Sequence, residues 1–216
     1  MADSTQLPPP SHRDLARRLQ GLNLYLVGMM GAGKSATGRP LAEALGYRFV
    51  DADAVISAAA GRSIPEIFAT DGEAGFRQLE TAVLNQLAHW HSLVVATGGG
   101  AVTQPQNWGH LHQGVVVWLD APEPVLLARL RADSTARPLL DSGDPEARLR
   151  TLLRERRPLY AQADLRIDQE LRPEGPQAVA AQVLAELPTI LKARASAPTQ
   201  PVSLVDADGR HHPSLN

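Results

Sequence analysis

Residues 28–38, GMMGAGKSATG, place Gly28, Gly33, Lys34 and Ser35 in the spacing G-x-x-x-x-G-K-[ST]. An apolar run, LNLYLV (22–27), precedes them and a helical pattern follows. That arrangement turns main-chain N–H groups inward on a chain of phosphates and aims the positive end of a helix at them. Lys34 also stands apart in its own chain. Of 21 basic residues only Lys34 and Lys192 are lysine, and the rest are arginine. A slim ammonium reaches terminal phosphates from inside a tight loop, where a broad planar guanidinium would not fit. Gly31, Ala32, Gly33, Lys34, Ser35 and Ala36 are therefore candidate contacts to a nucleoside triphosphate. The Ser35 hydroxyl is a candidate ligand for Mg2+.

A second group follows at once. RFVDADAV (48–55) ends a predicted strand in Asp51 and Asp53, two residues apart. Strand alternation aims both carboxylates the same way, at the strand end where open α/β sheets bind ligands. Two carboxylates beside a triphosphate suit two jobs: holding Mg2+ through water, and accepting a proton from an attacking hydroxyl. The plainer alternative is a helix cap followed by a loop acid. The strand LVVA (93–96) runs into Thr97, where nucleotide-binding sheets of this kind usually carry a second Asp, so the metal duty falls to Asp51.

Polar residues also interrupt apolar stripes. Phe76, Leu79, Val83, Leu84 and Leu87 form a helical stripe that contains Glu80, with Arg77 one turn back. An acid on an inward face needs a partner; the plainer alternative is a solvated edge pair between Glu73, Arg77 and Glu80. Further on, Leu149, Leu152 and Leu153 define a stripe whose next position is Arg156, which suggests an anion to be met. Its neighbours Arg150, Arg154 and Arg157 read as surface charges. The segment ATGGGAV (96–102) carries Gly98, Gly99 and Gly100 after a strand. Three glycines in a row permit close approach of backbone to a ligand. Finally, RADSTARPLLDSGDPE (131–146) joins two helices with small polar residues and Arg137. A connector of that length reads as a lid, and phosphoryl transfer needs one to exclude water.

These residues need a scaffold. Short apolar runs at 22–27, 48–50, 93–96, 115–119 and 165–167 read as strands. They alternate with the helical patterns GKSATGRPLAEAL, SIPEIFAT, EAGFRQLETAVLNQLAHW, PEPVLLARLRA, PEARLRTLLRERRPLYAQA and the stretch 174–192. Ser63 and Glu66 form a capping box, with Pro65 in the first turn. Alternation of this kind predicts a parallel sheet with helices on both faces. Residues 1–20 read as a polar extension with a short helix from Ser11, residues 21–194 as one catalytic domain, and 195–216 as a disordered tail.

Composition narrows the class. The chain has 216 residues and a formal charge of −2, so no basic field advertises nucleic acid. Cysteine is absent, which excludes disulfides and thiolate metal sites. No apolar run approaches the roughly 20 residues of a membrane span, and the N-terminus lacks the apolar core of a secretion signal. A cytoplasmic enzyme is expected.

Taken together, the phosphate loop, DAD (51–53), GRSIPEIFATDGEAGFRQLE (61–80), TGGGAV (97–102), RPLL (137–140) and RRPLY (156–160) resemble shikimate kinases, small P-loop kinases of the nucleoside-monophosphate-kinase type. The similarity covers about residues 22–190. It implies a three-layer α/β fold with a five-stranded parallel sheet and a lid, acting as a monomer with ATP and Mg2+. The implied reaction moves the ATP γ-phosphate to the 3-hydroxyl of shikimate, a step toward chorismate and the aromatic amino acids. By the same resemblance Asp53, Arg77 and Arg156 hold shikimate, Asp53 is the base, and Gly98, Gly99 and Gly100 line the pocket. Glu80 orients Arg77, and Arg137 from the lid meets ATP phosphate. The chain differs from the family pattern at Ala36, often Thr, and at Ser57, often Glu. The spacing from Arg129 to Arg137 is one residue long, so the adenine contact falls to either Arg129 or Arg131, with the loop near Asp168 opposite.

Other readings lead to different expectations. A gluconate kinase needs a different acceptor pocket, and Asp53, Arg77 and Arg156 together argue against it. A GTPase-like switch needs an N-K-x-D guanine motif, which two lysines at 34 and 192 cannot supply. An inactive binding homologue is expected to have lost Lys34 or Asp53, and both are present.

Overall fold

The computed structural model describes residues 11–133, 144–169 and 175–196. Arg137, most of the expected lid and the tail beyond 196 lie outside the described residues. A five-stranded parallel sheet forms the centre: β1 (Leu24–Val27), β2 (Arg48–Asp51), β3 (Leu93–Ala96), β4 (Val115–Asp120) and β5 (Leu165–Asp168), in the spatial order β2-β3-β1-β4-β5. β1, β3 and β4 are buried at every position. Their mostly Leu and Val runs, with Tyr25 in β1 and Trp118 in β4, are what a parallel sheet covered on both faces demands. The flanking strands show their edge positions in sequence, with exposed Arg48 in β2 and Arg166 in β5.

Eight helices cover the sheet among the described residues: α1 (His12–Leu19), α2 (Lys34–Leu45), α3 (Ala52–Ala60), α4 (Ile64–Ala88), α5 (Pro105–Leu111), α6 (Glu123–Ala132), α7 (Pro145–Tyr160) and α8 (Pro176–Ser196). α4 contains both helices expected over 63–90, joined at a kink where Gly72 adopts φ 69° and ψ −176°. The capping box at Ser63 is present, its main-chain N–H donating to Glu66 Oε2 over 2.7 Å. Helix α1 is more than a polar extension. Leu15 and Leu19 are fully buried in the core, against a floor supplied by α2 and α8.

Two helices escape the periodicity argument. α5 has seven residues, too few to show a period, and is fixed instead by hydrogen bonds. Asn107 Nδ2 donates to Ala101 O (2.8 Å) and Trp108 Nε1 to Val102 O (3.1 Å). α3 begins directly after β2, and this corrects the reading of the two aspartates. Asp51 ends the strand and caps the helix, while Asp53 lies in the first helical turn. Strand alternation does not act past Asp51, because its carboxylate satisfies the free N–H groups of residues 53 and 54 and so starts a helix there.

The order β2-β3-β1-β4-β5 puts β1 at the switch point, with one chain crossover leading to either side. Ligands of open α/β sheets bind outside the carboxyl ends at such a point. The loop leaving β1 is the phosphate loop.

Candidate active site

The loop between β1 and α2 takes its shape from glycine. Gly28 has φ 142°, and a Cβ there would stand 2.5 Å from the main-chain oxygen of Leu119. Gly33 (φ 88°) caps α2 without any side-chain hydrogen bond, so no side chain competes for the first-turn N–H groups. A helix start left open in this way suits an anion. Lys34, half-buried, curls over the loop and donates from Nζ to Gly28 O (2.9 Å) and Met29 O (3.1 Å). Gly31 and Ala32 form the bend itself, and Ala36 lies exposed on α2. Ser35 Oγ donates to Asp51 Oδ2 over 2.6 Å, so the two residues assigned to the metal meet. A hydroxyl and a carboxylate side by side are hard oxygen donors, the set that Mg2+ completes with water and phosphate oxygens.

The far wall is built from α4, α7 and the Gly98–Gly100 segment after β3. Glu80 is wholly buried and Arg77 nearly so. Arg77 Nη1 donates to Glu80 Oε2 (2.7 Å) and Nη2 to Glu73 Oε1 (3.0 Å). Burial pushes the Glu80 carboxyl above its ordinary range, although Arg77 and Arg156 pull the other way and Asp53 adds to the rise. Burial opposes the charge on Arg77, but the Glu80 and Glu73 carboxylates outweigh it and raise its pKa. Two buried atoms of the pair, Arg77 Nε and Glu80 Oε1, have no hydrogen-bond partner among the described residues. Unsatisfied buried polar atoms are uncommon, and at a cleft they mark capacity for a ligand.

The three glycines serve these side chains as much as any ligand. A Cβ at Gly98 would lie 2.3 Å from Glu80 Oε1 and 3.1 Å from Asp53 Oδ1. One at Gly100 would lie 2.2 Å from Arg77 Nη2. None of the three adopts a positive φ, so close packing and not backbone geometry demands glycine. Arg156 is buried and donates from Nη1 to Gly99 O (3.2 Å). The site therefore brings together Lys34, Ser35, Asp51, Asp53, Arg77, Glu80, Gly98–Gly100 and Arg156. Arg150 and Arg157 point outward, bridging Glu123 and Asp120.

Glu73 shares Arg77 with Glu80, but the group is not a solvated edge pair, since Arg77 and Glu80 are buried. Sequence reasoning missed two participants. Tyr160, one turn after Arg156, donates its hydroxyl to the same Gly99 O. Gln169 is buried just past β5, at a carboxyl strand end, which is the one positional signal that could have found it. Its Nε2 donates to Ala32 O (2.9 Å), and its Oε1 accepts from Arg129 Nη1 (3.1 Å). Arg129 also donates to Gly31 O (3.1 Å), whereas Arg131 pairs with Glu146 on the surface. Of the two arginines, Arg129 is the one at the phosphate loop.

A P-loop on the central strand of a parallel sheet, with a basic and acidic pocket across from it, defines a small-molecule phosphotransferase of the P-loop class. Comparison with known proteins narrows this. The family model for shikimate kinase matches residues 30–188. A shikimate kinase of Synechococcus sp. (strain CC9605) is 61% identical over 192 residues, covering 89% of this chain and 92% of that protein. One from Parasynechococcus marenigrum (strain WH8102) is 64% identical over 178 residues, 82% of this chain and 92% of the relative. Among solved structures, shikimate kinase from Acinetobacter baumannii in complex with shikimate is 44% identical, with a TM-score of 0.75, covering 81% of this chain and 97% of that one. The chain belongs to the shikimate kinase family.

Proposed function

We propose that this enzyme transfers the γ-phosphate of ATP to the 3-hydroxyl of shikimate, giving shikimate 3-phosphate and ADP. The observation that carries the reading is the convergence of Arg77, Arg156 and Asp53 on one glycine-walled pocket beside the phosphate loop. A carboxylate on the acceptor answers the two guanidiniums, and a hydroxyl answers Asp53. The loop N–H groups and Lys34 take the triphosphate, and Lys34 exchanges its two carbonyl partners for phosphate oxygens. Ser35 and Asp51 would hold Mg2+, which when bound neutralises charge on the β- and γ-phosphates. Asp53 accepts the proton of the attacking hydroxyl. Glu80 keeps Arg77 in place, and Arg129, which donates to Gln169 Oε1 and Gly31 O, is assigned to the nucleotide base. Arg137 is assigned to the transferring phosphate when the 131–146 segment closes. The reading also makes the protein a cytoplasmic monomer.

The test is an ADP-release assay with Mg2+ and a panel of acceptors: shikimate, gluconate, quinate and a carboxamide analogue of shikimate. Turnover with shikimate, and a large loss with the carboxamide, is expected. Preference for gluconate would overturn the acceptor assignment while leaving the phosphate loop untouched.

A further inference from the structure

Gly99 O accepts two hydrogen bonds from one face of α7. Arg156 Nη1 lies 3.2 Å away and Tyr160 Oη comes still closer, four residues along the helix. Gly99 also touches the nucleotide side: a Cβ there would lie 3.2 Å from the main-chain nitrogen of Met30, inside the phosphate loop. The flanking glycines abut Glu80, Asp53 and Arg77. This single peptide therefore separates the two halves of the site, and its orientation rests on two donors. One of them, Arg156, is the residue assigned to the acceptor carboxylate. The N–H that it gives to Gly99 O cannot at the same time be given to the acceptor.

We propose that Tyr160 is a positioning residue that holds the Gly99 carbonyl when Arg156 turns to the acceptor, so that the glycine wall keeps its place and Arg156 is released for binding. The proposal rests on the assignment of Arg156 to the acceptor. Tyr160 is well built for the task. It is buried at 1% exposure and stacked near Trp118, with ring centroids 5.9 Å apart, so its ring has little freedom. Burial pushes its phenol up to about 12, so the hydroxyl remains a donor throughout the working pH range. A neutral donor also satisfies the carbonyl without competing with Arg156 for the acceptor's negative charge. Without the hydroxyl, Arg156 would be the only donor to Gly99 O among the described residues, and turning it to the acceptor would leave a half-buried carbonyl short of a hydrogen bond.

Tyr160→Phe removes the hydroxyl and leaves the ring, and in the free enzyme Arg156 still satisfies Gly99, so the fold should hold. Steady-state kinetics should show the shikimate KM raised roughly threefold to tenfold, the range expected for losing one ordinary hydrogen bond at a half-buried carbonyl. The ATP KM should stay within about twofold, since ATP binding does not draw Arg156 away. A merely structural role would instead lower the melting temperature and disturb both KM values together. Calorimetric titration with shikimate alone should repeat the loss of affinity. A shikimate KM within twofold of wild type, or an equal rise in both KM values, overturns the proposal. Arg156→Lys measured alongside separates the two assignments. A raised shikimate KM there with a normal one in Tyr160→Phe overturns the role of Tyr160 alone, and a normal value in Arg156→Lys overturns both.

Discussion

The two halves of the site are made of different material. The nucleotide half is backbone: Gly28 to Lys34 in one continuous stretch, with positive φ at Gly28, Gly31 and Gly33 and a helix start free of side-chain caps. The acceptor half is side chain: Arg77 and Glu80 from α4, Arg156 from α7 and Asp53 from α3, packed against glycines that have no unusual φ. The first half needs little burial, because its donors are fixed by covalent geometry. The second holds charges out of water and depends on mutual pairing, so its parts should fail together. Substitutions on each side should therefore leave distinct kinetic signatures.

The largest effect is expected at Lys34. Lys34→Ala removes a preorganised cation from the transferring phosphate, and turnover should fall by at least about 10²–10³-fold. Its ammonium makes no core packing, so the melting temperature should barely move. Activity within tenfold of wild type would show that loop backbone alone carries the nucleotide half. Next comes Asp53→Asn, which keeps the shape but loses the proton acceptor. kcat should fall by roughly 10²–10⁴-fold. Asp51→Asn should instead weaken the response to Mg2+, because Asp51 touches Ser35 and caps α3. If Asp51→Asn damages shikimate binding more than Asp53→Asn, the two roles are exchanged.

A pair of glycine substitutions sharpens the comparison further. At Gly28 an added methyl meets a main-chain oxygen at 2.5 Å on a backbone with φ 142°, and neither can yield. Gly28→Ala should lower stability by about 1–3 kcal/mol and raise the ATP KM. At Gly100 the methyl meets the Arg77 guanidinium at 2.2 Å, which moves if its pairing with Glu80 is broken. Gly100→Ala should raise the shikimate KM about tenfold, equivalent to about 1.4 kcal/mol, with the ATP KM nearly unchanged. Crossed effects would mean that the two halves are not independent.

The same contrast decides what could be read from sequence. The nucleotide half is contiguous, so G-x-x-x-x-G-K-S between a strand and a helix carries its own context. Glu80 and Arg156 were legible because each breaks an apolar stripe, and both are buried as expected. Asp53 was placed at the right end of the sheet for the wrong reason, since capping by Asp51 overrides strand alternation. Gly98 and Gly100 were read as letting the backbone approach a ligand, and the room they make for Glu80 and Arg77 was not foreseen. Contacts between distant segments give no periodic signal. Tyr160 looks like an ordinary core aromatic until Gly99 is seen beneath it, and Gln169 like a loop amide until it meets Ala32. β1, β3 and β4 were legible as runs of buried, mostly apolar residues, and β2 and β5 as shorter apolar stretches interrupted or preceded by an exposed Arg, while α5 was too short to declare itself.

The smallest expected effect probes the cost of the acceptor half directly. Burial lifts the Glu80 carboxyl above its ordinary value of 4.5, against the pull of Arg77 and Arg156. The native state therefore favours protonated Glu80 more than the unfolded chain does. The sign follows from linkage: stability from this group is fully present below its unfolded value and is lost as pH rises through the raised native one. Glu80→Gln mimics the protonated carboxyl at every pH and cannot titrate. The melting temperature of wild type minus that of Glu80→Gln should thus be highest near pH 4 and decline as pH rises toward neutrality, a range chosen to bracket the ordinary carboxyl. Shikimate kinetics should move the other way. At neutral pH the variant loses the charge that anchors Arg77, so its shikimate KM should exceed that of wild type even where its stability equals or surpasses it. A melting difference that is flat with pH would show that Arg77 and Arg156 compensate the burial of Glu80 completely. The acceptor half would then hold its charges with no loss of stability, as the nucleotide half does.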